Sequence, residues 1–343
     1  MQSKDFCKDL PVLIRVSVGT AMLLGLMKGK LDAEPTTAYF MTYRDGKCAA
    51  NCSFCPQARQ SGSRADMLSR VSWPVFEAER ALEGLARAAD LGRIKRVCIQ
   101  ALNYPSVFDQ LVSLVKAISE KAMLPISVSC QPLSGRNIRL LAEAGAERIG
   151  IPLDAATEEL FVKIKGKHAD GPYDWRQQFE LLKEAVSIFG KNRVSTHFIV
   201  GLGETEKEMT LALQKCVDMN VLPGLFAFTP IRGTALENCA QPSIERYRRM
   251  QLVRHLLVNK IANAADMRFD ENDRVTGFGI DEETLMRVAK SGTPFLTSGC
   301  PDCNRPYYNE KPSGPIYNYP RKLTEHEISE VLAQLGLNRS LRS

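Results

Sequence analysis

The chain has 343 residues, a formal net charge of +6 and ten cysteines. This length suits two domains or one α/β barrel, and the apolar content is ordinary for a globular protein with a full core. No apolar run reaches the roughly 18 residues that a transmembrane helix needs, and the N-terminus has no apolar signal segment, so we expect a cytoplasmic protein. The positive charge is modest and dispersed, which disfavours nucleic acid as a partner and suits an anionic substrate or an acidic carrier protein.

Hydrophobic spacing predicts an N-terminal helix over residues 10–30 and a strand over residues 37–43. Strand and helix patterns then alternate to the C-terminal region. Further strands are predicted at residues 96–101, 125–130, 148–151, 194–200, 225–229, 267–269 and 293–297, and helices at 72–91, 106–121, 134–144, 174–189, 204–219, 243–264 and 281–290. This alternation implies βαβ units around a parallel sheet, and about eight strands would close a TIM-type (β/α)8 barrel. A partial barrel of six units with an altered C-terminal part is the main alternative.

The domain organisation follows from the absence of any linker-like stretch. We predict one catalytic domain over residues 1–343, with a helical lead-in at 1–34, the barrel at 35–300 and a tail over the barrel mouth at 301–343.

The densest chemical signal is a loop that carries Cys48, Cys52 and Cys55 at C-x3-C-x2-C spacing, directly after the first predicted barrel strand. Thiolates at this spacing can converge on one iron–sulfur cluster. Three ligands leave one iron of a [4Fe–4S] cube free for a substrate or cofactor, as in catalytic metal sites. A zinc knuckle is the alternative, but no second ligand pair follows closely, so the spacing favours a cluster.

The stretch CAANCSFCPQ, with Phe54 just before the third cysteine, resembles the signature of the radical S-adenosylmethionine (radical SAM) enzymes, in the form found in biotin synthase and its sulfur-inserting relatives. The resemblance implies that SAM binds the free iron and is cleaved by an electron from the cluster. The product is a 5′-deoxyadenosyl radical that takes hydrogen from an unactivated carbon. It also implies an external electron donor such as ferredoxin or flavodoxin.

The same resemblance suggests residues that bind SAM. Gly201, Gly203 and Glu204 follow the fifth strand and are similar to the segment whose backbone lies along the adenine, where glycine permits close approach. A turn that caps the next helix is the alternative. Phe54 would contact the adenine. Asp154 matches a site aspartate of biotin synthase, although it could equally cap a helix.

Four further cysteines predict a second [4Fe–4S] cluster. Cys98 lies on the second strand and Cys130 ends the third, where biotin synthase has cluster ligands, whereas Cys300 and Cys303 form a C-x2-C pair after the last predicted strand. Single cysteines on strands are often small core residues, which is the alternative for the first two. By the resemblance, Arg268 could correspond to an arginine ligand of that family.

The segment over residues 298–321, SGCPDCNRPYYNEKPSGPIYNYPR, resembles the tail of the archaeal-type, two-protein lipoyl synthases. This resemblance implies sulfur insertion into an octanoyl chain on a carrier domain, a second cluster as sulfur donor and a paralogous partner subunit. The alternatives are a biotin synthase, a radical SAM enzyme without sulfur transfer, and an iron–sulfur carrier or scaffold. The glycine segment argues against a scaffold, which needs no adenine site.

Overall fold

The computed structural model describes residues 10–337, so the outermost residues of the predicted lead-in and tail lie outside the described part. Its strands are β1 (Leu13–Val16), β2 (Thr37–Thr42), β3 (Met67–Leu68), β4 (Val71–Ser72), β5 (Val75–Glu77), β6 (Arg96–Gln100), β7 (Ile126–Ser129), β8 (Arg148–Gly150), β9 (Val194–Val200), β10 (Val221–Ala227), β11 (Arg268–Phe269) and β12 (Val275–Gly277). Its α-helices are α1 (Val18–Leu23), α2 (Ala78–Asp90), α3 (Val107–Ala122), α4 (Gly135–Glu143), α5 (Glu158–Ile164), α6 (Trp175–Phe189), α7 (Glu206–Asp218), α8 (Ile244–Val258), α9 (Glu282–Lys290) and α10 (Glu325–Gln334).

The predicted α/β architecture is confirmed by an eight-stranded sheet in the order β10-β9-β8-β7-β6-β2-β1-β5. Strands β2 and β6 to β10 run parallel to one another and are joined through helices. Strands β1 and β5 extend the sheet beyond β2 with antiparallel pairing. The parallel part therefore has six strands, as in the six-unit alternative, and the sheet remains open between β10 and β5.

The lead-in differs from the predicted helix over residues 10–30. Leu13–Val16 is a strand that pairs with β2 on one side and β5 on the other, and only Val18–Leu23 is helical. Ile14 and Val16 are fully buried, so pairing and burial outweigh the local helical pattern. Strand β5 likewise replaces the first turn of the helix predicted from residue 72.

The expected seventh and eighth strands lie outside the sheet. Strand β11 pairs with β12 in a separate ribbon, which leaves Arg268 exposed on the surface, and Thr293–Phe295 forms a 3₁₀ turn. In apolar runs this short, the hydrophobic pattern alone cannot tell a sheet strand from other secondary structure. They contribute no strand to the barrel wall.

The C-terminal segment instead closes the open side of the sheet. The Ser298 hydroxyl oxygen accepts a hydrogen bond from Leu225 N–H of β10 at 2.8 Å, and Asn304 Oδ1 accepts one from Thr36 N–H, just before β2, at 3.0 Å. The carbonyl of Asp302 accepts from Thr37, the first residue of β2. Asp302 and Asn304 therefore lie beside the N-terminal end of β2, so the tail that was predicted to lie over the barrel mouth also reaches the opposite end of this strand.

None of the helices within residues 10–337 is long and apolar enough to cross a lipid bilayer.

Candidate active site

One cavity of about 710 Å³ occupies the interior of the partial barrel. Alternate residues of the parallel strands line it, because successive side chains of a strand point to opposite faces. These residues are Tyr39, Met41, Cys98, Gln100, Ser129, Ser195, His197, Ile199, Gly224 and Phe226. Two sets of thiols border the cavity, one in the loop after β2 and one near the base, where the tail enters the wall.

The first set consists of Cys48, Cys52 and Cys55, as predicted. The loop is fixed by backbone hydrogen bonds, including Cys48 N–H to Gln57 O at 3.0 Å. The Cys48 sulfur accepts a hydrogen bond from Asn103 N–H at 3.1 Å. All three thiols line the same cavity at the C-terminal end of the sheet, where parallel α/β folds place their active sites.

The electrostatics of this loop fit a bound cluster. Burial raises the pKa of Cys55 to about 12, with the Cys48 charge adding to the rise, while the backbone N–H groups of Gln57 and Ala58 oppose it. Burial also raises the pKa of Cys52 well above its usual value. Coordination to iron removes the thiol protons, and N–H donors to the sulfur then stabilise the bound thiolates.

The spacing of these thiols also bears on the kind of metal group. No three His, Cys, Asp or Glu side chains within residues 10–337 lie close enough to bind a single metal ion. A four-iron cluster is larger than one ion and takes thiolates that stand further apart. The charges of Cys48 and Cys55 affect the pKa of Cys52, and the charge of Cys48 affects the pKa of Cys55, so the three thiols are neighbours that could serve as the ligands of one cluster.

The glycine segment after β9 has the backbone that the sequence suggested. Gly201 and Gly203 have φ angles of 105° and 124°, a region that side chains disfavour. A Cβ on Gly201 would also lie 2.8 Å from Pro242 Cδ. Phe54 and Leu202 pack against the same small apolar cluster, so the aromatic residue of the cysteine loop and the glycine segment are neighbours.

Glu204 holds this segment in place. Its Oε1 accepts a hydrogen bond from Gly201 N–H at 2.8 Å, and its Oε2 accepts one from Leu202 N–H at 3.0 Å. Arg246 pairs with the same carboxylate at 2.8 Å. Burial raises the pKa of Glu204, and the Gly201 N–H and Arg246 oppose the rise. Because both oxygens are engaged, Glu204 shapes the loop, and any contact with a cofactor comes from the loop backbone.

Asp154 forms a buried ion pair that sequence analysis missed. Its Oδ2 lies 2.6 Å from Lys165 Nζ, and the lysine side chain is only 1% exposed. Both residues line the cavity, and the Lys165 charge opposes the rise that burial causes in the pKa of the nearby Cys52 thiol. The helix-capping alternative for Asp154 fails, since Thr157 caps α5. A lone lysine just after a helix gives no local sign of burial.

The second set brings together Cys98, Cys300 and Cys303. Burial raises the pKa of Cys98, and the charges of Cys300 and Cys303 raise it further, which shows that the three thiols are neighbours. The Ser127 hydroxyl donates to Cys300 Sγ at 3.4 Å, and Tyr39 Oη lies 3.3 Å from Cys303 Sγ. The tail pair thus lies beside Cys98, whereas the two hydroxyl partners come from residues distant in sequence that were not predicted.

Cys130 lies apart from these thiols. Burial alone raises its pKa to about 12, with no effect from the other three. It follows β7, belongs to the hydrophobic core and is 2% exposed. The structure therefore brings together three of the four predicted ligands and places Cys130 elsewhere on the cavity wall, among residues of the hydrophobic core.

An aromatic group separates the two sets of thiols. Tyr308 packs edge-on against Phe226 at 5.4 Å, and His197 contacts the same ring at 5.0 Å. The Arg305 guanidinium lies 3.9 Å from the Phe226 centroid. Burial raises the pKa of Tyr308, and the charges of both Cys55 and Cys98 add to this, which places the phenol between the sets. Burial lowers the pKa of His197 to about 3, so the imidazole is neutral.

A family model described as the radical SAM superfamily matches residues 46–216, about half of the chain. The biotin synthase of Persephonella marina (strain DSM 14350 / EX-H1) is 23% identical over 208 residues, which are 59% of this chain and 57% of that protein. The biotin synthase of Chlorobium phaeobacteroides (strain BS1) is 25% identical over 275 residues, which are 75% of this chain and 72% of that protein. The chain therefore spans little more than half of the first relative.

A solved structure supports the fold. The crystal structure of methylornithine synthase superposes with a TM-score of 0.53 at 14% identity, over 93% of this chain and 85% of that one. At this identity the likeness concerns the fold alone. The matched family region contains the first set of thiols and the glycine segment after β9.

Proposed function

This chain belongs to the radical SAM superfamily, and we propose that it inserts sulfur into an octanoyl chain carried by a protein, as a lipoyl synthase does. The observation that carries the proposal is one cavity bordered by two separate sets of three thiols. A radical SAM enzyme without sulfur transfer would use a second cluster only to relay electrons or to anchor the substrate. A second set on the other side of the same cavity suits a sulfur source that faces the substrate radical.

The first set would hold the [4Fe–4S] cluster, with Gly201, Gly203 and Phe54 beside the adenine of SAM. Asp154 lines the cavity next to this set and forms a buried ion pair with Lys165 there. When bound, the two clusters and SAM supply a 5′-deoxyadenosyl radical that removes hydrogen from the acyl chain, and the sulfur that replaces it. The protein orients the chain and excludes water from the radical.

The second set would hold the auxiliary [4Fe–4S] cluster through Cys98, Cys300 and Cys303. Ser127 and Tyr39 supply hydroxyl groups next to two of these sulfurs, which resemble the outer contacts that stabilise metal-bound thiolates. Between the sets the wall carries Met41 and Phe226 among its residues. Apolar side chains at this position favour an aliphatic substrate segment.

The substrate and partners in this proposal are an octanoylated carrier domain, a paralogous partner subunit and an electron donor such as ferredoxin or flavodoxin. We further propose a cytoplasmic location. All nine cysteines of residues 10–337 are free thiols, which suits a reducing compartment.

Biotin formation is the second candidate, because the curated relatives are biotin synthases. It differs from the lipoyl proposal in the carbon skeleton of the substrate, while the chemistry is shared. The tail pair Cys300 and Cys303 favours the lipoyl proposal, since the sequence of this segment resembles the lipoyl system.

Mass spectrometry of an octanoyl-lysyl peptide tests the proposal. The anaerobically reconstituted protein is incubated with SAM and dithionite, with and without a candidate partner subunit, and dethiobiotin is tested in parallel. We expect sulfur to be added to the peptide and 5′-deoxyadenosine to be formed.

The controls separate the alternatives. Conversion of dethiobiotin to biotin without sulfur gain on the peptide would reverse the ranking of the two substrates. Absence of 5′-deoxyadenosine in every reaction would contradict the proposal that the protein generates a radical from SAM. The Cys300→Ala variant should form 5′-deoxyadenosine but no sulfur product, whereas the exposed Cys239→Ala variant should behave as the wild type.

A further inference from the structure

Glu310 is a buried acid with a free hydrogen-bonding atom on the cavity wall. It is 4% exposed and lines the cavity. Its Oε2 is buried and has no hydrogen-bond partner among residues 10–337. A buried polar atom without a partner costs free energy comparable to a lost hydrogen bond, so such an atom on a cavity wall indicates a ligand.

The position of Glu310 is fixed by its neighbours in the tail. The carbonyl of the preceding Asn309 accepts a hydrogen bond from the Thr229 hydroxyl, just after β10, at 3.2 Å. The backbone N–H of Asn318 faces the Glu310 carboxyl. The acid therefore lies on the side of the cavity formed by the C-terminal end of β10.

Two of the three arginines near Glu310 are already engaged. Arg248 donates to Gln334, Gln251 and the carbonyls of Ile316 and Tyr317. Arg305 donates to the Ser298 carbonyl and lies over Phe226. The third, Arg70, is exposed. Neither engaged arginine bonds to Oε2 of Glu310, which lines the cavity without a hydrogen-bond partner among residues 10–337.

We propose that Glu310 holds the carbonyl oxygen at the carrier end of the acyl substrate by donating a hydrogen bond to it, which makes the cavity selective for acyl amides over free fatty acids. This inference rests on the proposed acyl substrate and adds the residue that recognises its head.

The ionisation state of Glu310 supports this role. Burial raises its pKa to about 8, and Arg305, Arg248 and Arg70 act in the opposite direction. When Glu310 is ionised, its charge raises the pKa values of the nearby phenols of Tyr247, Tyr307 and Tyr317. At neutral pH most molecules thus carry a carboxyl proton that can be donated. An amide carbonyl accepts a hydrogen bond from that carboxyl O–H without bringing a charge into the cavity, whereas a free carboxylate would have to be desolvated.

Equilibrium dialysis of an octanoyl-lysyl peptide against the reconstituted protein tests the proposal without turnover, since SAM and reductant are omitted. Affinity should stay constant at low pH and fall as pH rises through about 8, when the donor proton is lost. The Glu310→Gln variant keeps an N–H donor and should lose this pH dependence. The Glu310→Leu variant should bind about tenfold more weakly at neutral pH.

Infrared spectroscopy of a peptide with an isotope-labelled carbonyl gives a positional readout. A hydrogen bond from Glu310 should lower the carbonyl stretching frequency on binding, and the Glu310→Leu variant should abolish this shift. If the Glu310→Leu variant does not fold, the pH dependence of peptide affinity in Glu310→Gln still tests whether Glu310 is the donor. The exposed neighbour Lys311 provides a matched control, because Lys311→Met should leave amide binding and its pH profile unchanged.

Three results would overturn the inference: a wild-type affinity that does not depend on pH, a carbonyl shift that survives in Glu310→Leu, or octanoate binding as tight as the amide and weakened by Lys311→Met. Binding that follows the expected profile without any sulfur product would contradict the proposed function alone. Sulfur insertion with an unchanged KM in Glu310→Leu would contradict only the role of Glu310.

Discussion

The phenol oxygen of Tyr39, on β2, lies 3.3 Å from the sulfur of Cys303 in the C-terminal segment. The same oxygen accepts a hydrogen bond from Arg305 N–H at 2.9 Å, so its own proton is free to point at the sulfur. Burial raises the pKa of Tyr39 well above its usual value, which keeps the phenol neutral. One side chain thereby joins the first parallel strand to the tail and supplies a donor to the second set of thiols.

The Tyr39→Phe substitution should weaken the second set selectively. It removes the donor to Cys303 and leaves the Arg305 N–H without its acceptor, at a cost of about 1–3 kcal/mol. We expect faster loss of iron from the second set during chelator challenge, followed by electron paramagnetic resonance, while the signal of the first set persists. Tyr43→Phe, just beyond the same strand, is the control. Equal iron loss in both variants would contradict the assignment.

The thiols of the second set should account for half of the iron. The wild type should bind about eight irons per chain, and the Cys300→Ala/Cys303→Ala double variant about four. Iron analysis after anaerobic reconstitution measures this, with 5′-deoxyadenosine formation as a check that the first cluster survives. Because Cys130 lies apart in the core, Cys130→Ala should keep the full iron content. Loss of half its iron would make Cys130 a ligand after all.

The Glu204→Gln substitution should impair SAM binding through the loop. The carboxylate accepts from Gly201 and Leu202 N–H and pairs with Arg246. A glutamine amide has a single acceptor oxygen, so one N–H or the arginine loses its partner, at about 1–3 kcal/mol. We expect at least a fivefold rise in the Kd for SAM, as about 1 kcal/mol implies. Glu208→Gln, in the capping box of α7, is the control and should change helix stability without this effect.

The fold was predictable where one face of each element is buried over many residues. Strands β6 to β10 and their helices follow from alternating patterns, and each lies near its expected position. Several of the errors concern two- to four-residue stretches whose state depends on partners elsewhere, and the ten-residue helix α10 was not predicted. Leu13–Val16 is a strand because β2 and β5 flank it, and residues 267–269 leave the sheet because β12 pairs with them.

The site was predictable where its ligands are close in sequence. Cys48, Cys52 and Cys55 act within one short loop, so spacing alone brings them together. The contacts of Lys165 with Asp154 and of Tyr39 with Cys303 join separate segments of the chain. The sequence around Lys165 and around Tyr39 does not indicate these partners. These contacts needed the three-dimensional structure.

Glu310 should make the stability of the protein depend on pH in a specific direction. Its pKa rises from an ordinary 4.5 to about 8 on folding. Between these values the folded state holds a proton that the unfolded state has lost, so stability falls as pH rises through this window and levels off above it. Glu310→Gln cannot ionise. Its free energy of unfolding relative to the wild type should therefore increase from pH 5 to pH 8, by more than about 1 kcal/mol.

Urea unfolding under anaerobic conditions across this pH range measures the effect. Glu327 provides a contrast of opposite sign, because its hydrogen bond with Arg321 lowers its pKa to about 2. That carboxylate contributes stability above its unfolded pKa and loses the contribution only in acid. Glu327→Gln should therefore be less stable than the wild type by a constant amount from about pH 6 upward. A difference between Glu310→Gln and the wild type that does not change with pH would show that Glu310 is ionised throughout, and would remove the basis for its donor role.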